Sequence, residues 1–288
     1  MRNRLTAYAF ILPNFLGFVA FVLVPVLASF VLCFTEWDTS NPIQFKGLGN
    51  FLQLLKDDAF ITSFWNTVYY TGAVVPLTMA VSLGLAVMLD KKLKGAKVFR
   101  SIFFIPYIAS LVAISVVWNM IFSPEAGPVN SFLRSIGLSE PPLWTSSVHW
   151  AMPVIIFVGI WRFVGYYMVL YLAGLQGIPR ELYEAAEVDG ATAWQQFRKI
   201  TLPMLTPTTF FVVIMLVINS FKVFDQIMVM TQGGPGRATH VLVFYIYYRA
   251  FQVFEFGYAS AIAFVLFLVV LTITIIQFRM EEKWVKYM

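Results

Sequence analysis

Long apolar runs alternate with short charged segments along the whole 288-residue chain. Asp, Glu, Lys and Arg are absent from 5–35, 59–89, 101–124 and 256–278. Each run exceeds the roughly 20 residues that a helix needs to cross a hydrocarbon core. The pattern predicts an all-α membrane protein with six spans at about 9–33, 66–89, 101–122, 149–173, 204–224 and 256–278. The whole of 1–288 then forms one transmembrane domain. The first run, Tyr8 to Phe34, exceeds a signal-peptide core and reads as a retained span with a bend at Pro25. Turn formers gather between spans: Thr39 to Pro42, then Pro124, Gly127, Pro128, Pro141 and Pro142, then the TQGGPG of 231–236. Ala80 and Gly84 are a small-xxx-small pair and hint at close helix packing. The Tyr- and Phe-rich 238–255 either lies along the interface or re-enters the membrane.

Composition narrows the picture. At 59% hydrophobic, 12% charged and a mean hydropathy of +0.76, the chain is too apolar for a soluble domain. Cys33 is the sole cysteine, so no disulfide framework exists within the chain. Two histidines, His149 and His240, make no metal cluster. No GxxxxGK[ST] loop occurs, so nothing reads as an ATP-binding loop, and if ATP drives this protein another chain binds it. The net charge of +5 sits in loops between spans and does not read as a nucleic-acid footprint. Thirteen Lys and Arg fall at the termini and even-numbered loops (Arg2, Arg4, Lys91, Lys92, Lys94, Lys97, Arg100, Arg180, Arg198, Lys199, Arg279, Lys283, Lys286) against six on the other side. The positive-inside bias therefore predicts cytoplasmic termini and a cytoplasmic 180–205 loop.

That loop, within 174–203, holds seven charged residues before Ile200. It reads as two short helices separated at Asp189-Gly190, where glycine tolerates φ > 0. Glu181, Glu184 and Glu187 share one helix edge, and Ala185 and Ala186 keep the neighbouring surface low. Pro203 suits the first turn of the next long helix. The series Glu184, Ala185, Ala186, Asp189, Gly190, Ala191, Phe197, Ile200, Leu202, Pro203 resembles the EAA loop of permease subunits of bacterial binding-protein-dependent ABC importers. GLGNF at 47–51, IPY at 105–107 and the 224–261 series with TQGGPG resemble the carbohydrate branch, the maltose and glycerol-phosphate type.

The resemblance implies the six-helix core of type I importers, MetI-like, in the bacterial plasma membrane. It implies a second permease subunit, usually a different chain, two ATP-binding subunits and an extracytoplasmic sugar-binding protein. ATP and Mg would be bound by the partner ATPase, and this chain would be no enzyme and carry no cofactor. Glu184, Ala185, Ala186, Asp189 and Gly190 would couple to the ATPase. Carried over from the family, substrate contacts fall on Asn219, Ser220, Val223, Phe163, Tyr166, Tyr107 and Leu111. Arg162 lies midway along the fourth span, where a lipid-facing cation costs at least about 2.5–3.5 kcal/mol. It reads either as a pathway residue or, preferentially, as half of an ion pair with Asp225 or Glu255. Lys222 and Asp225, three apart, read as a second pair. The implied cargo is a mono- or oligosaccharide. Alternatives are glycerol phosphate or another polyol by the same mechanism, or a stand-alone ion-coupled transporter. Against the last, Asp225 is the one acidic residue placed near a span end.

Overall fold

The computed structural model describes residues 2–90 and 95–284. The cations Arg2, Arg4, Lys91, Lys92, Lys94, Lys283 and Lys286, which carry part of the expected orientation, lie outside the residues whose side chains are described. The chain forms two compact units, one of Met1–Ile61 with Tyr245–Val269, the other of Thr62–Phe244 with Val270–Met288.

In the first unit, Phe10–Leu32 is a continuous, strongly apolar helix. A widened turn over Val19–Leu23 closes with Val24 N–H donating to Val19 O, directly ahead of Pro25, which has no N–H to donate. A short antiparallel ribbon pairs Thr35 with Phe45 and Glu36 with Gln44. Buried Asn50 explains part of the GLGNF run. Its amide donates to Cys33 O (3.0 Å) and Thr35 O (2.8 Å), so it holds the chain as it leaves the first helix. Gly257 is required here because a Cβ would collide with Thr35 O. Farther along, Phe30 meets Phe264 and Phe267 edge-on at 5.3 and 5.5 Å.

A charged node closes this unit. Asp57 accepts from the Tyr245 and Tyr258 hydroxyls. Arg249 reaches Asp57 (3.7 Å) and Glu255 (3.2 Å) and stands over the Tyr258 ring at 4.7 Å. Burial pulls the Asp57 carboxyl up, but the hydroxyl donors and the N–H groups of Ala59 and Phe60 outweigh it and leave the carboxyl below its ordinary value.

The second unit is built around the Ala151–Gln176 helix, of which fourteen residues are buried. Asp58–Asp90 packs beside it, and Ser82 Oγ donates to Val164 O at 2.9 Å. Two apolar cores form along this centre. One gathers Val74, Ile155, Val158 and Ile227; the other gathers Met168, Tyr171, Leu205 and Leu216. Asn66 donates to Arg237 O (2.9 Å) and His240 O (2.8 Å), and Thr67 Oγ1 accepts from Leu242 N–H, which fastens the 231–241 turn to the Asp58–Asp90 helix.

Among the described residues four helices are long and apolar enough to cross a membrane alone, and counting each of two bent pairs as one span raises the number to six. Within 101–122 the chain turns by 100° between Ala96–Ile108 and Leu111–Ile121. Extended Ala109 breaks the ladder, and the Ser110 hydroxyl accepts from Ala113 N–H to start the second helix. Within 193–221 the turn is 64° at Leu205. Pro203 therefore lies in the short helix before the bend. It is Pro207 that occupies the first turn of Thr206–Phe221.

Three local expectations are corrected. Lys222 ends the Thr206–Phe221 helix and Asp225 begins Asp225–Met230, so they do not share a helix face and form no ion pair among the described residues. The second long helix begins at Asp58 rather than near 66, so Asp57 and Asp58 also lie at a span end. Ala80 and Gly84 are exposed, and a Cβ on Gly84 would meet nothing within 4 Å, so they mark no close packing within the chain.

Candidate functional site

The 174–203 loop takes its shape from local chemistry. Arg180–Val188 is a helix with Pro179 at its N-cap. Gly190 follows at φ +75°, a conformation that costs an L side chain energy. Its N–H donates to Glu187 O (3.0 Å), and Ala191 N–H donates to Ala186 O (2.8 Å), the double bond of a Schellman stop. A capping box starts the next helix. Thr192 N–H donates to Gln195 Oε1 (2.7 Å), and Gln195 N–H donates to Thr192 Oγ1 (3.3 Å). Trp194 stacks on Phe197 at 5.6 Å. Tyr183 and Thr201 hydroxyls, 2.9 Å apart, tie the two halves together.

The outer face of this loop carries Glu181, Glu184, Ala185 and Glu187, all exposed. Val188, next to Glu187 at the end of this helix, is 87% exposed, and Trp194 in the following helix is 67% exposed. Exposed apolar side chains on a charged loop have the composition of a docking surface. Behind it the structure is tight. A Cβ on Gly174 would meet Thr208 Oγ1 at 2.5 Å and Leu205 Cδ2 at 2.9 Å. The helix entering the loop and the helix leaving it therefore touch nearly backbone to side chain.

A cavity of about 230 Å³ lies deeper in the same unit. Of the eight candidate path residues, Tyr107, Leu111, Arg162, Phe163, Asn219 and Val223 border it. Two do not. Ser220 is buried and donates to Val217 O, and Tyr166 stands behind Tyr107, stacked at 4.3 Å. The bend at Ala109–Ser110 carries Tyr107 and Leu111 to one wall. The helix interruption at Lys222–Phe224 opens another, which also brings in Lys222, Phe224, Asp225 and Gln226.

Arg162 does not pair as expected. Glu255 bonds to Arg249 in the other unit, and among the described residues neither it nor Asp225 pairs with Arg162. Instead the Arg162 guanidinium carbon stands 5.6 Å from the Tyr107 ring centre and 5.3 Å from that of Phe163. Its Nε is buried without a hydrogen-bond partner. Asn219 donates to Tyr167 OH at 3.3 Å, which leaves its amide oxygen for another donor.

Tyr70 and Gln226 also border the cavity and were missed from the sequence. Gln226 is 2% exposed and donates to Tyr70 OH (3.0 Å) and Ile155 O (3.2 Å). The available signal was an amide, Gln226, directly after Asp225 in a helix whose remaining residues are apolar. Gly159 makes room for this contact, since a Cβ there would meet Tyr70 OH at 2.5 Å. No group of three His, Cys, Asp or Glu capable of holding a metal occurs among the described residues.

Residues 77–286 match the family model described as binding-protein-dependent transport system inner membrane component. The probable ABC transporter permease protein YesP of Bacillus subtilis is 37% identical over 99% of this chain and 93% of its own length. The arabinooligosaccharides transport system permease protein AraP of the same organism is 35% identical over 97% of this chain and 89% of its own. Among solved structures, a bacterial ABC transporter involved in import of the acidic polysaccharide alginate superimposes with TM-score 0.88 at 27% identity, over 99% of this chain and 98% of that one. The alginate transporter in complex with an alginate pentasaccharide-bound periplasmic protein gives TM-score 0.87 at 26% identity, over 98% of this chain and 96% of that one.

Proposed function

We propose, from the premise that this chain belongs to the family of binding-protein-dependent transport system inner membrane components, that it lines the path of an oligosaccharide and takes its drive from the Arg180–Val188 helix. As a multi-pass permease of an ABC importer it is not catalytic, and a partner ATPase hydrolyses the ATP. The relatives that handle arabinooligosaccharides and alginate support a saccharide cargo. The alginate-bound periplasmic protein seated on one of them supports delivery by a binding protein. In this reading a second, different permease completes the path, two ATP-binding subunits dock below, and the termini face the cytoplasm.

The observation that carries the reading is the continuity between the two sites. The exposed loop joins the Ala151–Gln176 and Thr206–Phe221 helices, and these same helices supply Arg162, Phe163 and Asn219 to the cavity. Glu184 pairs with a basic group of the ATPase, Ala185 and Ala186 fill its groove, and the Asp189–Gly190 stop fixes the helix end. When ATP draws the ATPase subunits together, the docked helices follow, and the cavity changes its access from one side to the other. Two sites biasing one two-state element is what coupling requires.

The test is Glu184→Lys in the complete transporter, reconstituted in vesicles. ATP-driven sugar uptake is expected to fall at least tenfold while the second permease still co-purifies. Wild-type uptake by this variant would overturn the coupling role. Purification of the native complex, with ATP hydrolysis measured against sugar-loaded binding protein, identifies the cargo.

A further inference from the structure

We infer that the saccharide carried is acidic and that Arg162 reads its carboxylate from the wall of the cavity, an inference that rests on the transport reading above. Three observations carry it. First, Arg162 sits in the middle of the Ala151–Gln176 span, where a cation is retained only if something answers its charge. Among the described residues no carboxylate pairs with it, and its Nε is buried and unpartnered. Second, the two rings that hold it, Tyr107 and Phe163, engage the guanidinium through π contacts and accept no in-plane hydrogen bond from it. The planar fork of N–H donors is left for a ligand, and that fork matches a carboxylate better than a hydroxyl.

Third, the other charges around the cavity do not neutralise it. Lys222 and Asp225 also border the space, but both are exposed and carry opposite signs. They cancel where water screens them, which leaves one uncompensated cation in the less hydrated wall. The remaining lining suits a sugar ring: Leu111 and Val223 for its apolar side, and the Asn219 amide oxygen for a hydroxyl. At about 230 Å³ the space is below the roughly 300–1,000 Å³ of sites that enclose a whole ligand. It fits one uronic-acid unit of a longer chain.

The experiment uses the complete transporter, with its partner permease, ATPase and binding protein, in proteoliposomes. Uptake of uronate disaccharides (glucuronate, galacturonate and mannuronate) is compared with uptake of their methyl esters, which keep the ring and lose the charge. The wild type is expected to take up at least one acid about ten times faster than its ester. Because the binding protein is the same throughout, its own preference cancels when variants are compared with the wild type. Arg162→Gln is expected to lower the acid-to-ester ratio about tenfold, and Arg162→Lys, which keeps the charge but not the fork, about threefold. If Arg162→Gln does not assemble, the Lys variant decides. An unchanged ratio in the variants, or wild-type uptake of neutral saccharides alone, overturns the inference and leaves the transport reading standing. No ATP-driven uptake of any saccharide by the wild type overturns both.

Discussion

The Phe10–Leu32 and Ala151–Gln176 helices both pass for membrane spans, yet they do opposite things within the chain. The first has the higher mean hydropathy, 2.7 against 1.8, and none of its described residues is buried. The second is less apolar, and fourteen of its 26 residues are buried. Hydropathy therefore measures fitness for lipid and says nothing of who packs on whom. Packing is written in the small residues. Gly159, Gly165 and Gly174 each stand where a Cβ would strike a neighbour, whereas Gly17 of the first helix has nothing within 4 Å. In a bilayer, where lipid and leucine are equally apolar, such close approaches decide which helix becomes the centre.

The largest effect should come from Gly165→Val. Its Cβ would collide with the backbone carbonyl of Phe103, and a backbone carbonyl cannot swing aside as a side-chain end can. A loss above about 3 kcal/mol is expected, read as failure of the chain to survive detergent extraction as a monodisperse species. Normal thermal unfolding in this variant would break the comparison at its strongest point.

A smaller loss tests whether the first unit has an anchor of its own kind. Asp57→Asn keeps an acceptor for Tyr245 and Tyr258 but removes the charge that strengthens both bonds and faces Arg249. About 2 kcal/mol should be lost at neutral pH. The sign of the pH dependence follows from the depressed carboxyl. Its stabilisation is complete above the ordinary unfolded value, about 3.9, and is lost as pH falls through the lower folded value. Wild-type thermal stability should thus drop more steeply than that of Asp57→Asn below about pH 4. Parallel acid profiles would remove Asp57 from the account.

Gln226→Leu sharpens the same contrast inside the second unit. It deletes two buried hydrogen bonds and leaves the Tyr70 hydroxyl without its donor, at a cost of about 1 kcal/mol. The measured shift in unfolding temperature should be modest and of the destabilising sign. A rise would mean that apolar packing, rather than the polar pair, holds the helix at this depth.

How much of this was readable depends on the range of the signal. The all-helical membrane class could be read because the absence of charge over about 20 residues is itself the physical requirement. The Arg180–Val188 helix and its stop could be read because the Asp189–Gly190 turn is made by near neighbours, whereas the Thr192–Gln195 box, equally local, was missed. The bends at Ala109–Ser110 and Leu205 could not. Both fall inside apolar stretches, and their consequence is where distant segments meet. The Lys222–Asp225 pairing failed for that reason, since one unseen break between them changes which way each side chain faces. Asn219 and Ser220 show the limit at single-residue scale. They are neighbours on one helix, and the 100° between them puts one at the cavity and the other into the packing.

Gly17→Val is the smallest expected effect and the most diagnostic for the comparison. Nothing in the chain lies within 4 Å of the added carbon, and valine is no worse a helix former than glycine. The stability of the isolated chain in detergent should change by less than about 0.5 kcal/mol. The same substitution in the assembled transporter asks a separate question. If the Phe10–Leu32 helix faces lipid at Gly17, co-purification of the second permease stays at the wild-type level. If the second permease packs against that glycine, co-purification falls while the isolated chain remains unaffected. A loss in the isolated chain itself would mean that the first helix is packed by its own chain after all, and the contrast with Ala151–Gln176 would collapse.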